Sequence, residues 1–248
     1  MPRIYLPLTF RPGATLTLPP AIAHRLREVR RALPGQQITL FNGEGGEFRG
    51  VLTAVSRAAT TVEIQDFQPI ERESPLTITL AQGIARGERM DYTIQKAIEL
   101  GVHKIVPIAM ERSQVKLAAS RAERRLDHWQ AVVIHACEQC GRNRIPQVAP
   151  VMTLAEFAAT DQAATRLTLA PNGAHSLHGL TRVTDFSLVV GPEGGLSPSE
   201  LELLAAHDYR AVRLGPRTLR TETAALVALT ALQTMAGDLL AEPSPHLG

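Results

Sequence analysis

Ser187-Leu-Val-Val190 runs into Gly191-Pro-Glu-Gly-Gly195, then Leu196, then Ser197-Pro-Ser-Glu200. A short apolar run ends in a glycine-rich turn, and a helix opens behind it on a capping-box pattern with proline at its first position. The same grammar recurs about two dozen residues later. Arg210-Ala-Val-Arg-Leu214 reads as a strand, Gly215-Pro-Arg-Thr-Leu-Arg220 as a turn, and Thr221 to Leu240 as a long helix with Leu226, Leu229 and Leu232 on its apolar side. Glycine at a strand end lets backbone approach a ligand, and open α/β sheets bind ligands at the carboxyl ends of their strands. Two adjacent strand ends are therefore expected to form one site.

Neither turn carries a phosphate signature. The chain has no G-x-x-x-x-G-K-[ST] and no G-x-G-x-x-G between a strand and a helix, which argues against nucleoside triphosphates and dinucleotides. Glu193 points the same way. A carboxylate in a tight turn repels an anion but tolerates a neutral or cationic ligand, such as a nucleoside attached to a sulfonium.

Leu188-Val-Val-Gly-Pro-Glu-Gly-Gly-Leu-Ser197 and Leu214-Gly-Pro-Arg-Thr-Leu-Arg-Thr-Glu-Thr-Ala224 resemble the two cofactor motifs of the SPOUT class of RNA methyltransferases. Within that class they are most similar to the ribosomal RNA small subunit methyltransferase E family. Met90-Asp-Tyr-Thr-Ile-Gln-Lys-Ala-Ile-Glu-Leu-Gly-Val102 resembles that family's first helix, and Glu138-Gln-Cys-Gly-Arg142 through Ile145-Pro146 its Glu-Gln-x-x-Arg segment. The chain departs at Arg86, where a lysine is usual, at Thr218, where a branched apolar residue is usual, and at Arg30, where a leucine is usual. None of these touches a glycine of the two turns.

The resemblance implies an α/β fold: a SPOUT-type trefoil-knot methyltransferase domain over residues 74–248, preceded by a small PUA-like β-barrel, RNA-binding, over residues 1–70. The knot is implied by the resemblance alone, since chains as a rule do not thread their own loops. It further implies S-adenosylmethionine as cofactor, N3 of a uridine in small-subunit ribosomal RNA or the assembled 30S particle as target, and a homodimer. Cofactor contacts are implied for Leu169, Pro171, Gly191, Glu193, Gly195, Leu214, Gly215, Leu219, Arg220, Thr223 and Ala224.

Composition is close to ordinary globular usage, so wholesale disorder is not expected. The chain has 248 residues, 44% hydrophobic and 20% charged, with a net charge of +2, so it can bury a core and reads as one large plus one small domain. Of its 26 basic residues only Lys96, Lys104 and Lys116 are lysines. Arginine suits RNA because its planar fork matches phosphate and stacks on bases, although a GC-rich genome produces the same bias. There is no leader-like apolar segment after Met1 and no run of about 18 apolar residues, so a cytoplasmic protein is expected. Cys137 and Cys140 form a single C-x-x-C beside His135. With no second pair at zinc-finger spacing no metal is expected, and Cys140 is read as packing on the helix face of Leu126, Trp129, Val133 and Ala136.

Along the first part, Thr15 to Leu18, Gln37 to Phe41, Phe48 to Val55 and Thr61 to Ile64 read as short strands, with a hairpin signal at Asn42-Gly43 and Gly45-Gly46. One helix interrupts them from Pro19-Pro20 to Arg31. Its arginines Arg25, Arg27, Arg30 and Arg31 are either a solvated face or an RNA backbone contact; the barrel's likeness to PUA-like domains favours RNA. Asp66 to Pro75 reads as a linker. Beyond it the pattern becomes strand-helix-strand: a strand at Leu76 to Leu80, a helix from Met90 with Gly101 as C-cap, a strand from Val102 to Ala109, capping boxes at Ser120 to Glu123 and Thr153 to Glu156, and a strand from Arg166 to Ala170 before the Pro171-Asn-Gly turn. Five or six such strands signify a mostly parallel sheet covered on both faces.

Uridine N3 carries a proton, so a cation near the ring's carbonyl oxygens would stabilise the anion left when it departs. Arg142, Arg144 and Arg220 are the candidates for that catalytic role, with Glu138 or Glu222 to orient them. His175 and His178, after the Pro171 turn, are read as structural. Two rivals remain: an RNA-binding module without catalysis, which has no need of the two glycine turns, and a methyltransferase of the same class acting on transfer RNA.

Overall fold

A computed structural model of the chain describes residues 1–113, 119–180 and 182–240, and these divide into two compact units. The first comprises Met1–Glu73 together with Cys137–Ile145; the second comprises Ser74–Ala136 and Pro146–Gly248.

The first unit is built on β1 (Arg3–Tyr5), β2 (Thr15–Thr17), α1 (Pro20–His24), β3 (Gln37–Phe41), β4 (Glu47–Val55) and β5 (Thr60–Gln68). The strands form one sheet in the order β1-β3-β4-β5-β2, with β1 parallel to β3 and the other pairs antiparallel. Two register shifts in the β4–β5 ladder bend the sheet, and Leu26, Ile38, Leu40, Leu52, Val62 and Ile64 close its core. The Asn42–Gly46 segment does make the β3–β4 hairpin. Strand β5 continues two residues past Asp66, so the predicted linker begins after Gln68. The helix is not uniform. At Arg25 it widens into a π-helical turn to Val29, where Arg30 N–H donates to the Arg25 carbonyl, and it stops because Arg31 turns left-handed at φ 49 and Ala32 N–H reaches back to Leu26.

The second unit carries β6 (Thr77–Gly83), α2 (Glu88–Glu99), β7 (Lys104–Ala109), most of α3 (Ala119–Cys140), β8 (Gln147–Val148), β9 (Met152–Thr153), α4 (Leu154–Thr160), β10 (Thr165–Leu169), β11 (Asp185–Val190), α5 (Pro198–Ala206), β12 (Arg210–Val212) and α6 (Thr221–Ala236). The seven strands form one parallel sheet in the order β12-β10-β11-β6-β7-β8, with β9 also on β7. Its middle strands are apolar on both faces, as parallel strands covered by helices must be: Leu80, Ile105 and Leu188 are fully buried, and so are Ala81, Val106 and Val189 in the next register row. The second row belongs to the cluster that Leu154, Phe157 and Leu204 of α4 and α5 complete.

Both capping boxes in the described part form as read. Thr153 and Ser197 each accept the N–H three residues on, and Glu156 and Glu200 each return the bond. The box read at Ser120 rests on side chains outside the described residues. Gly101, at φ +77, caps α2 by bonds to Ile98 and Ala97 made by its own N–H and that of Val102. The last helix is shorter than its apolar pattern suggested: it ends at Ala236, where Gly237 leaves helical geometry at φ −101 and ψ −143. On α3 Cys137 is fully buried, in line with Val133 at helical spacing, and Cys140 is half-buried.

Candidate active site

Strand β10 lies between β11 and β12, so the two glycine turns do not follow neighbouring strands as expected; they flank the end of a third. The chain leaving β10 turns at Pro171 and runs beside β12, where His175 N–H donates to Ala211 and the Arg213 N–H to His175. Gly173 permits that approach, since a Cβ there would stand 2.6 Å from the Ala211 carbonyl oxygen. Leu169 and Pro171 thus sit in the gap between the turns.

The first turn is tightly folded. Gly195 N–H closes onto the Pro192 carbonyl at 2.9 Å, and a Cβ on Gly191 would stand 3.0 Å from Gly195 and Leu196 backbone. It rests on the end of β6, where a Cβ on Gly83 would lie 2.6 Å from Pro192 N, and Arg112 braces it by donating to the carbonyls of Gly194 and Leu196. Gly195 differs from these packed glycines. It sits at φ +69, and nothing lies within 4 Å of where its Cβ would be; Gly215, in the second turn, is the same at φ +66. Each turn therefore presents one bare, left-handed backbone position to open space, which suits a flat ligand held by main-chain groups.

A buried polar chain ties the turns to the sheet. Gln82, fully buried near the end of β6, donates through Nε2 to Thr221 Oγ1 at 2.9 Å, and the Thr221 hydroxyl donates to the Gly191 carbonyl at 2.5 Å. The other amide atom, Gln82 Oε1, is buried without a hydrogen-bond partner among the described residues. Buried acceptors of that kind are uncommon, and a ligand donor is one way to satisfy them.

Above this chain lies a charged cluster. Glu193 accepts the Arg86 N–H at 2.9 Å and an Arg89 Nη1 hydrogen at 3.3 Å, while Arg89 Nε stands 3.9 Å from Glu222 Oε1. Burial disfavours the Glu193 carboxylate, but the Arg86 N–H, its own N–H and Arg89 outweigh it and hold the group below the usual carboxylate range. So Glu193 is a charged brace for the turn. Leu214, Leu219 and Ala224 are half-buried around the second turn, whereas Arg220, the N-cap of α6, and Thr223 are exposed.

The other arginines singled out from sequence belong to the first unit. Arg142 is buried and donates through Nε and Nη2 to Glu73, and Arg144, more than half exposed, stands 3.7 Å from Glu71. Glu138 takes a two-pronged bond from Arg25, at 2.7 and 2.8 Å, and the Tyr5 N–H. Asn143 caps Ile70 and meets Arg3 and Glu47. The Glu-Gln-x-x-Arg segment is thereby stitched into the small unit by side chains that bond inward. Of the four helix arginines, Arg25 is so engaged and Arg27 donates to Glu28 and the Ser56 carbonyl, while Arg30 and Arg31 are exposed.

Gln82, Arg89 and Arg112 were not singled out from sequence. Gln82 had a signal, a lone amide late in a strand; the arginines had none, since their partners lie 82 to 133 residues away. Among the described residues no group of three or more His, Cys, Asp or Glu could hold a metal, and no helix is long and apolar enough to cross a membrane.

The RNA methyltransferase domain family matches residues 72–233. Ribosomal RNA small subunit methyltransferase E of Buchnera aphidicola is 32% identical over 241 residues, 96% of this chain and 98% of that one, and its Bacillus subtilis counterpart 30% identical over 245 residues, 94% and 96%. Among solved structures, the same methyltransferase from Neisseria gonorrhoeae, bound to S-adenosyl methionine, is 41% identical with a TM-score of 0.90 over 96% of this chain and 99% of its own. A methyltransferase from Legionella pneumophila in complex with the same cofactor is 40% identical, with a TM-score of 0.92 over 96% and 98%. The architecture is accordingly the SPOUT-type α/β fold preceded by a small PUA-like β-domain. With the glycine turns, the parallel sheet and near full-length likeness in agreement, the chain belongs to the ribosomal RNA small subunit methyltransferase E family of RNA methyltransferases.

Proposed function

We propose that the protein methylates N3 of a uridine in small-subunit (16S) ribosomal RNA, with S-adenosylmethionine as donor. The observation that carries this is the pair of bare left-handed glycines, Gly195 and Gly215, on either side of the Leu169–Pro171 strand end. Membership of the family and the two cofactor-bound relatives supply the ligand's identity. When bound, S-adenosylmethionine supplies a methyl group on a positively charged sulfur, already activated toward a nucleophile.

The chain's part is to hold and align. Main-chain groups of Gly191 to Gly195, Leu214, Gly215 and Leu219, with Leu169, Pro171, Thr223 and Ala224, would line the cofactor. Glu193 adds negative potential near a cationic ligand and repels a phosphate. The RNA would meet Arg30 and Arg31 on the small unit, which take the backbone role expected of all four helix arginines, and Arg220 at the mouth of the second turn. Arg142, occupied by Glu73, is given a structural part. Action as a homodimer and on an assembled 30S particle are extensions of the same reading.

The test offers labelled S-adenosylmethionine with undermethylated small subunits, free 16S RNA and transfer RNA in parallel, followed by nucleoside analysis. Label in N3-methyluridine from small-subunit RNA is the expected result. Label confined to transfer RNA, or to a ribose oxygen, would replace the reading.

A further inference from the structure

The proposed reaction needs a fixed cation beside the base, and the arginines expected from sequence do not supply one. Arg142 is buried on Glu73, Arg144 is 56% exposed with one carboxylate beside it, Glu71 at 3.7 Å, and exposed Arg220 has no polar side-chain contact to fix it among the described residues. Preorganisation is what makes a charge effective in a transition state, because a mobile side chain must be ordered during the reaction. Arg89 meets the requirement. It stands at the start of α2 between a carboxylate of the first glycine turn, Glu193 at 3.3 Å, and one in the first turn of α6, Glu222 at 3.9 Å. Those contacts engage Nη1 and Nε. Nη2 has no partner among the described residues, and the side chain is 44% exposed while its two carboxylates are 15% and 14% exposed. The guanidinium is thus hydrogen-bonded to Glu193, flanked by Glu222 and open on one edge.

From this geometry we propose that Arg89 contacts the target base and stabilises the uracil anion through Nη2, a catalytic role resting on the uridine-N3 reading above. The N3–H bond breaks and its proton goes to solvent water, leaving negative charge shared between N3 and the carbonyl oxygens. The N3–methyl bond then forms as the methyl–sulfur bond breaks, its electron pair staying on sulfur, which becomes a neutral thioether. Arg89 faces the carbonyl oxygen on which the charge resides. Two carboxylates behind the guanidinium keep it from swinging onto an RNA phosphate, at the cost of some of its field.

Arg89→Met, Arg89→Lys and Glu222→Gln separate this role from bracing. In Arg89→Met, single-turnover methylation should fall about 100-fold, the scale of losing one donor to a developing anion, with cofactor affinity by calorimetry within about threefold of wild type. The loss should shrink at least about tenfold from about pH 7 to about pH 9, where hydroxide increasingly ionises the base unaided. Arg89→Lys, keeping the charge, should recover part of the rate. A readout independent of turnover is RNA affinity by fluorescence anisotropy: wild type should tighten over the same pH range as the base becomes anionic, and Arg89→Met should not. Glu222→Gln, with the cation present but less fixed, should fall between. A rate for Arg89→Met near wild type, or a deficit carried wholly by weaker cofactor binding and unrelieved at high pH, overturns the assignment. Methyl transfer by wild type to an atom other than N3 would overturn the underlying reading instead.

Discussion

Thr221 donates its hydroxyl hydrogen to the Gly191 carbonyl at 2.5 Å, so the first residue of the last helix is bonded to the first residue of a turn 30 positions earlier. The same oxygen accepts from Gln82 at 2.9 Å. One buried hydroxyl therefore fixes α6, the first glycine turn and the end of β6 to one another, and the second turn inherits its position from the helix it leads into.

Thr221→Val removes that hydroxyl while conserving shape. It leaves Gln82 Nε2 with only the Gly83 carbonyl and the Gly191 carbonyl without its side-chain donor, a loss of about 1–3 kcal/mol for buried groups left unsatisfied. We expect denaturant midpoints to drop accordingly and cofactor affinity by calorimetry to weaken about tenfold, since about 1.4 kcal/mol of misplacement suffices. Thr221→Ser should restore both.

Gly195→Ala and Gly215→Ala test the bare backbone. Each imposes a left-handed conformation on a residue with a Cβ, at roughly 1–2 kcal/mol, yet neither Cβ meets an atom within 4 Å, so the fold should survive. Gly13, at φ +82 with equally open surroundings in the other unit, supplies the control. If Gly13→Ala loses similar stability but keeps cofactor affinity while the two site variants lose it, the space over the turns is the ligand's. Equal affinity in all three would remove the turns from the cofactor site. The larger Gly195→Val would confuse strain with filling.

The pattern of the chain exposed the parallel sheet, both described capping boxes and the two turns, because each is local: periodicity, a cap three residues long, a glycine at a strand end. Strand order was not legible in the same way. The placement of β10 between β11 and β12 depends on how crossovers return to the sheet, which no window of sequence contains. The arginines show the limit most clearly. Arg142 and Arg89 look alike as letters, and what separates them is Glu73 enclosing one while Glu193 and Glu222 leave an edge of the other open.

Arg142→Ala should act as a folding mutation. Removing one partner of a buried, hydrogen-bonded ion pair costs about 3–5 kcal/mol because the other charge is stranded, although Glu73, one-fifth exposed, will recover part of its hydration. Urea denaturation should show a loss near the lower end of that range. Methyl transfer per folded molecule should stay within about threefold of wild type, whereas a catalytic arginine would cost about 100-fold.

Cys137 should be inert. Burial pushes its thiol up to about 12, so almost no thiolate exists near neutrality, and its Sγ lies 3.6 Å from the Arg144 carbonyl. Native protein should react with a thiol reagent at Cys140 only, with the second equivalent appearing on denaturation. Rapid native modification of Cys137 would mean the small unit opens there.

Glu47 predicts how the protein fails in acid. Burial raises the cost of its charge, yet the bonds and charges of Arg3 and Arg72 outweigh that and hold its carboxyl below the ordinary value of 4.5. A carboxylate whose folded value is depressed binds protons more readily when unfolded, so its stabilisation is complete above about pH 4.5 and is lost as pH falls from there toward the depressed value. Glu193 shifts in the same direction and adds to the effect. Melting temperature should therefore be nearly flat on the neutral side and fall in this acid window. Glu47→Gln cannot titrate and leaves Arg3 and Arg72 without their anion. It should melt lower than wild type at neutral pH, and the gap should close on acidification as the wild-type carboxyl protonates. A constant difference across the window would show that the Arg3–Glu47–Arg72 cluster contributes through shape and neutral hydrogen bonds, with its charge contributing nothing.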